Sequence, residues 1–182
     1  MRPSNSVRII GGTWRRRQLH FPDVPGLRPT SDRVRETVFN WLGQTLHGQV
    51  CLDAFAGSGA LGFEALSRGA VRVVFVESDR RAFAALRENA RLLGAANASL
   101  LQGDAIEFLG RDTGHYDVVF LDPPFSNGVS DELLELAGRR LNPGGLVYLE
   151  SDRSFGQSAV WQVRREARAG RVKFHLLERC VQ

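Results

Sequence analysis

The sequence is short of cysteine, lysine and long apolar runs, and each shortage removes a class of protein. Its 182 residues include two cysteines, Cys51 and Cys180. These lie far apart with no CxxC or Cys/His spacing, and His20, His47, His115 and His175 stand alone, so neither a disulfide framework nor a bound metal is expected. Cys51 falls in an apolar stretch and reads as a small buried hydrophobe. No apolar run approaches the roughly 20 residues of a membrane span, and the opening residues carry no signal-peptide core. The expectation is a cytoplasmic protein with no membrane partner. Lys173 is the only lysine, so the basic side is almost wholly arginine. Arginine suits phosphate forks and base stacking, although GC-rich coding produces the same bias.

What remains is an ordinary globular composition, 43% hydrophobic and 24% charged, long enough to bury one core. The net charge of +4 points toward a polyanionic partner. Its distribution says more than its total. Residues 1–35 carry Arg2, Arg8, Arg15, Arg16, Arg17, Arg28, Arg33 and Arg35 against Asp23 and Asp32.

Two regions separate by pattern. Residues 1–30 form a basic, turn-rich extension: Val7–Ile10, Gly11-Gly12 and Gln18–Phe21 predict a small hairpin, and Pro22–Pro29 a loop. Residues 31–182 form the main domain. Thr30 or Ser31 can cap a helix bearing Val34, Val38, Phe39, Trp41 and Leu42 on one face. Strands are then expected at Val50–Leu52, Val71–Val76, Ala98–Leu101, Val118–Leu121 and Leu146–Leu149. They alternate with helices over Ala60–Arg68, Arg80–Leu93, Ala105–Leu109 and Ser130–Leu141. Such alternation implies a parallel sheet covered on both faces. Val160–Val163, a turn at Gly170 and Val172–Leu177 predict a closing antiparallel hairpin.

The first main-domain strand runs into Asp53-Ala54-Phe55-Ala56-Gly57-Ser58-Gly59-Ala60-Leu61-Gly62. Glycines permit a tight turn and close ligand approach, and the next helix turns its N-terminus to the loop. Gly57, Gly59 and Gly62 satisfy G-x-G-x-x-G, so a nicotinamide enzyme is one reading; a sterically required turn without a ligand is another. Asp53 favours neither, because a carboxylate there repels a pyrophosphate yet can receive an ammonium. Glu77, followed by Ser78, ends the second strand, where an acid can accept both ribose hydroxyls. Asp104 and Ala105 follow the third strand, within reach of an adenine edge. Asp79 has the simpler role of helix cap. This acidic, glycine-lined crevice suits S-adenosyl-L-methionine, with its sulfonium, ammonium and ribose.

Asp122-Pro123-Pro124-Phe125 follows the fourth strand and is similar to the [N/D]-P-P-[Y/F/W] motif of enzymes that methylate exocyclic amines of adenine, cytosine or guanine. The amine's lone pair is delocalised into the base. Asp122 and a nearby main-chain carbonyl, held by two φ-restricted prolines, can accept both amine hydrogens and favour a pyramidal nitrogen. Phe125 can stack on the extruded base. A carboxylate is too weak to deprotonate a neutral arylamine beforehand, so Asp122 is expected to stabilise positive charge developing on nitrogen. A structural Asp-Pro-Pro turn is the plainer alternative.

Arg8-Ile9-Ile10-Gly11-Gly12, Arg28–Glu36 with Phe39-Asn40-Trp41-Leu42, Asp53–Gly59 and Asp122–Phe125 together resemble the bacterial small-subunit rRNA guanine-N2 methyltransferases (the RsmD family), nearly end to end. The Arg-Pro-Thr segment and its helix discriminate most, since the glycine loop and the DPPF tetrapeptide are shared with many relatives. The resemblance implies a class I, Rossmann-like S-adenosylmethionine-dependent α/β methyltransferase fold, a seven-stranded sheet with the last strand antiparallel, plus the N-terminal hairpin. It implies cofactor contacts at Asp53–Gly59, Glu77 and Asp104, with Asp122–Phe125 in catalysis. The substrate it implies is guanine N2 of 16S rRNA, free or in the assembled small subunit. A monomer is expected.

Arg15, Arg16 and Arg17 beside Trp14, with Arg28, Arg33 and Arg35, are candidate RNA contacts; Arg28, Thr30 and Arg35 can alternatively close over the pocket. An adenine-N6 or cytosine-N4 methyltransferase is compatible with the tetrapeptide, but no obvious target-recognition domain is present. A non-catalytic RNA-binding assembly factor would leave the acidic positions unexplained.

Overall fold

A computed structural model describes residues 5–124, 129–156 and 158–180. Seven strands form one sheet: β3 (Val50–Asp53), β4 (Arg72–Glu77), β5 (Ala98–Gln102), β6 (Tyr116–Leu121), β7 (Leu141–Ser151), β8 (Trp161–Ala169) and β9 (Val172–Arg179). Their spatial order is β5-β4-β3-β6-β7-β9-β8. β3 to β7 are mutually parallel, and β9 runs antiparallel to both β7 and β8. A separate antiparallel pair, β1 (Asn5–Arg8) and β2 (Gln18–Phe21), forms the N-terminal hairpin.

Alternating side chains divide the core. Cys51, Val73, Phe75, Val118, Phe120 and Tyr148 join the hairpin residues Val7, Leu19 and Phe21 on one face. That face is covered by α1 (Asp32–Leu42), α2 (Ala60–Ser67) and α3 (Arg80–Leu93). Leu52, Val74, Val76, Val119, Leu121, Val147 and Leu149 meet α4 (Ala105–Arg111) and α5 (Asp131–Arg139) on the other. Cys51 is fully buried, and desolvation pushes its thiol up to about 12, so it acts as a hydrophobe rather than a nucleophile.

The helices begin where short polar side chains can take up free N–H groups. The Ser31 hydroxyl accepts from Val34 N–H, Asp79 from Arg81 and Ala82, Asp104 from Ile106 and Glu107, and Ser130 from Leu133. Several element bounds differ from the sequence expectation, β7 among them, which runs over Leu141–Ser151 where Leu146–Leu149 is expected. The helix expected to reach Leu141 stops at Arg139, because Leu141 already pairs with Tyr116 in the sheet. β8, expected over four residues, runs for nine; its exposed run Arg164-Arg165-Glu166 lies on the sheet edge, where charge blunts further pairing and hides strand alternation.

The N-terminal arm is fastened to α2 by one carboxylate. Glu64 is fully buried and accepts from Ile10 N–H (2.8 Å), Gly11 N–H (2.7 Å), Arg68 Nε (2.8 Å) and Arg35 Nη1 (3.3 Å). One turn on, Ser67 accepts from Thr13 and Trp14 and donates to the Gly11 carbonyl. A side chain at Gly12 is impossible there, since φ is +75° and a Cβ would lie 1.8 Å from the Ser67 carbonyl oxygen. Asn89 on α3 holds β2 through a reciprocal pair with the His20 backbone, 3.0 and 2.8 Å.

Removing Glu64 strands the buried Arg35 guanidinium and two backbone donors. Glu64→Ala is therefore expected to lose about 3–5 kcal/mol of stability, read as a lowered urea midpoint. A midpoint within error of wild type would show that the arm is held elsewhere.

Candidate methyl-transfer site

The parallel strands place their C-terminal ends along one edge, and the central four end in acids: Asp53 on β3, Glu77 on β4, Asp122 just past β6 and Glu150 near the end of β7. Asp53 is 2% exposed and accepts from Gly62 N–H in the first turn of α2, 3.0 Å. Burial pushes its carboxyl up to about 7; the Gly62 hydrogen bond opposes the shift and the Glu77 charge adds to it. Among the described residues it takes part in no ion pair.

Gly57 and Gly59 turn the chain between Asp53 and α2 with φ of +52° and +78°. A Cβ at Gly59 would stand 2.5 Å from the Phe63 ring, and one at Gly62 would stand 2.2 Å from Phe75. Both glycines therefore serve close packing as well as any ligand, and the fingerprint spacing alone identifies none. Phe55 is half-buried against the second core cluster and Ser58 is buried. Glu77 folds toward the loop, accepting from Gly57 N–H and Asp79 N–H, both 2.7 Å. A carboxylate has about four acceptor positions, so two remain. Ser78 is exposed beside it. Asp104 is exposed and spends Oδ1 on capping α4, while Ala105 behind it is buried.

Asp122 and Pro123 follow β6, Asp122 half-buried and Pro123 buried, and Pro124 is exposed. Phe125 lies outside the described residues. The Asp122 carboxylate accepts from the Thr30 hydroxyl at 3.3 Å. Burial first, then the charges of Glu150 and Asp53, hold its carboxyl well above the usual carboxylate range. The β6–β7 register pairs Phe120 with Tyr148 and Leu121 with Leu149, so Asp122 and Glu150 occupy neighbouring strand ends. Sequence reasoning passed over Thr30 as a partner of Asp122, and over Glu150 altogether. A signal for Glu150 was present: it ends its apolar strand as the other three acids end theirs.

The arginines divide into three groups. Arg35, expected among the RNA contacts or the residues closing the pocket, is neither. It is 0% exposed, and its guanidinium is consumed by Glu64, Asp32 at 2.6 Å and the Thr30 carbonyl at 3.0 Å. It fixes Thr30 from behind. Arg15, Arg16 and Arg17 are exposed at the hairpin tip, not beside the site. That tip packs on Ser67 at the far end of α2, and Arg17 donates to the Leu92 carbonyl near the far end of α3. These helices leave the crevice for about 12 and 21 Å respectively, at 1.5 Å per residue. Arg28 and Arg33 are exposed and flank in sequence Thr30, which meets Asp122. The same loop brings Leu27 over Gly57.

This arrangement can hold a cation at Asp53, hydroxyls at Glu77 and an amine at Asp122, on one sheet edge. Residues 7–178 match the family model described as Conserved hypothetical protein 95. Ribosomal RNA small subunit methyltransferase D of Escherichia coli is 45% identical over 98% of this chain and 93% of its own length, and that of Haemophilus influenzae 41% over 94% and 93%. The solved structure of the E. coli protein yhhF superposes with a TM-score of 0.86 at 44% identity, covering 98% of this chain and all of that one. A Thermus thermophilus 16S rRNA N2 G1207 methyltransferase, in complex with AdoMet and guanosine, gives 0.73 at 25% identity over 97% of this chain and half of its own. With the match running end to end and the acid-lined strand ends in place, the chain belongs to the Conserved hypothetical protein 95 family.

Proposed function

We propose that this protein transfers a methyl group from S-adenosyl-L-methionine to the exocyclic N2 amine of a guanine in small-subunit rRNA. The observation that carries the reading is the placement of Asp122, fixed by Thr30 and one strand away from Asp53 and its glycine loop. The names of the relatives, and the guanosine and AdoMet of the T. thermophilus structure, support the substrate class.

The donor set fits the cofactor. Asp53 is a buried carboxylate without a cationic partner among the described residues, suited to the ammonium. Phe55, Gly57, Ser58 and Gly59 give a loop that a ligand can approach closely. Glu77 and Ser78 are placed for the ribose, and Asp104 and Ala105 for the adenine edge. Bound S-adenosylmethionine supplies an electrophilic methyl on a sulfonium. Asp122 accepts a hydrogen bond from the N2 amine and orients its lone pair in line. Pro123 and Pro124 hold the turn, and Phe125 is the stacking surface for the base. Arg28 and Arg33 contact the backbone around the target nucleotide. Arg15, Arg16 and Arg17 contact a more distant part of a large RNA. The residues assigned here all come from one chain, so a monomer suffices, and an rRNA substrate places the reaction in the cytoplasm.

Two outcomes test the reading. Asp122→Asn is expected to lower methyl transfer to small-subunit RNA by at least about a hundredfold, with S-adenosylhomocysteine binding retained and N2-methylguanosine as the wild-type product after digestion to nucleosides. Methyladenosine or methylcytidine in its place would give the substrate to another base.

The second concerns Asp53. An ammonium favours the ionised carboxylate, and burial places its midpoint near 7. Below that pH the group must lose a proton before it can pair, so affinity for S-adenosylhomocysteine should fall by up to about tenfold per unit as pH drops. Glu77 and Asp122 face the same crevice and are read in parallel variants. Calorimetry of Asp53→Asn should show weak binding without that slope; a retained slope would assign it to a neighbour.

A further inference from the structure

Glu150 is a buried acid that the assignments above leave unused. It is 6% exposed, stands beside Asp122 across the β6–β7 register, and is within hydrogen-bonding distance of it. Tyr148, two residues earlier on the same face, donates its hydroxyl to Glu150 at 2.7 Å. The Thr30 hydroxyl reaches both carboxyls. Across β9 Glu150 pairs with Phe174, which brings no charge. The ion pairs among the described residues involve neither Asp122 nor Glu150. Arg35, which holds the Thr30 carbonyl, is already paired with Glu64 and Asp32.

Two carboxylates without a cation cannot sit at hydrogen-bonding distance unless a proton lies between them. The Tyr148 hydroxyl supplies no positive charge: a phenol is neutral when protonated, and burial and Glu150 keep it so. We propose that Glu150 is a positioning residue of the transfer site: it shares one proton with Asp122 in the ligand-free protein, and its charge makes Asp122 the group that takes the proton leaving the amine.

The step balances with these groups alone. The amine nitrogen forms its bond to the methyl carbon, the carbon–sulfur bond breaks with its electron pair left on sulfur, and the nitrogen gives a proton to Asp122. Once a cationic methyl donor lies in the site the shared proton leaves to solvent, and the amine proton then takes its place in the Asp122–Glu150 pair, which holds it more tightly than an isolated carboxylate would. An ordinary aspartate is a poor acceptor for an arylamine proton even late in transfer; the neighbouring charge narrows that mismatch. Burial raises both carboxyls, and the charges of Glu150 and Asp53 raise Asp122 further, while hydrogen bonds with Tyr148, Thr30 and Asp122 oppose the rise at Glu150.

The inference rests on Asp122 being the acceptor for the amine, so its test has a readout that needs no substrate. Carboxyl-carbon NMR of the ligand-free protein across a pH series follows Asp122 directly. Glu150→Gln keeps the contacts to Tyr148 and Thr30 but removes the charge, and should lower the Asp122 midpoint by about one unit or more. Glu150→Asp keeps a carboxyl and should retain the raised midpoint. In the transfer assay, Glu150→Gln should move the acid limb of kcat down in pH and reduce the plateau at least about tenfold, while KM for RNA and affinity for S-adenosylhomocysteine change less than about twofold. An unmoved Asp122 midpoint overturns the proposal, as does a wild-type limb and plateau in Glu150→Gln. If the midpoint moves but wild-type protein methylates no RNA, the functional reading fails and the shared proton stands.

Discussion

The buried pairing of Glu64 with Arg35 fixes the geometry on which the rest of the site depends. Glu64 sits on α2, whose first turn holds the glycine loop, and Arg35 sits on α1, whose N-terminus carries Thr30. Joining the two sets the distance between the loop proposed to receive a cofactor and the hydroxyl that meets Asp122. The same carboxylate collects two backbone donors of the N-terminal arm and the Arg68 side chain. Desolvating such a charge is costly unless all its acceptor positions are used, and here four donors use them. An apolar replacement could match the stability of this arrangement but not its directionality.

Directionality matters because the groups proposed for the site are on different elements. Asp53 and Asp122 lie at the ends of neighbouring strands β3 and β6, whose register is set by the sheet. Thr30 arrives from outside the sheet and has no ladder to place it. Its carbonyl is held by Arg35 and its hydroxyl by Asp122, so the arm and the sheet meet at one residue. The hairpin, which buries Val7, Leu19 and Phe21 in the same apolar cluster as α1 to α3, is continuous with the scaffold in this respect.

Much of the layout was legible in the sequence, for identifiable reasons. Short apolar runs ending in Asp53, Glu77 and Asp122 announced parallel strands with an acidic edge, and Asp79 was readable as a cap because a short acid before a helical face has few other uses. Arg35 was misread because charge alone does not distinguish a surface arginine from one buried against a partner 29 residues away. The tri-arginine was grouped with Arg28, Arg33 and Arg35 as one set of RNA contacts because composition shows no distances, whereas the hairpin carries it to the far end of α2. Glu150 ends its apolar strand as the other acids do, but only the pairing of Leu121 with Leu149 shows that it neighbours Asp122. β8 was underestimated because an edge strand can be charged on successive residues and still pair on one side.

The acid-ended strands also act as a filter. Four carboxyls along one low-dielectric edge set up a negative potential that draws a cation inward and turns a phosphate away. An RNA strand therefore cannot lie along the floor of the crevice. On the proposed function its backbone must stay at the rim, with the exposed Arg28 and Arg33 as its proposed contacts, and send in one uncharged base. Eversion of the target nucleotide is then less an added trick of recognition than the only way a polyanion can present an amine to a pocket of like charge.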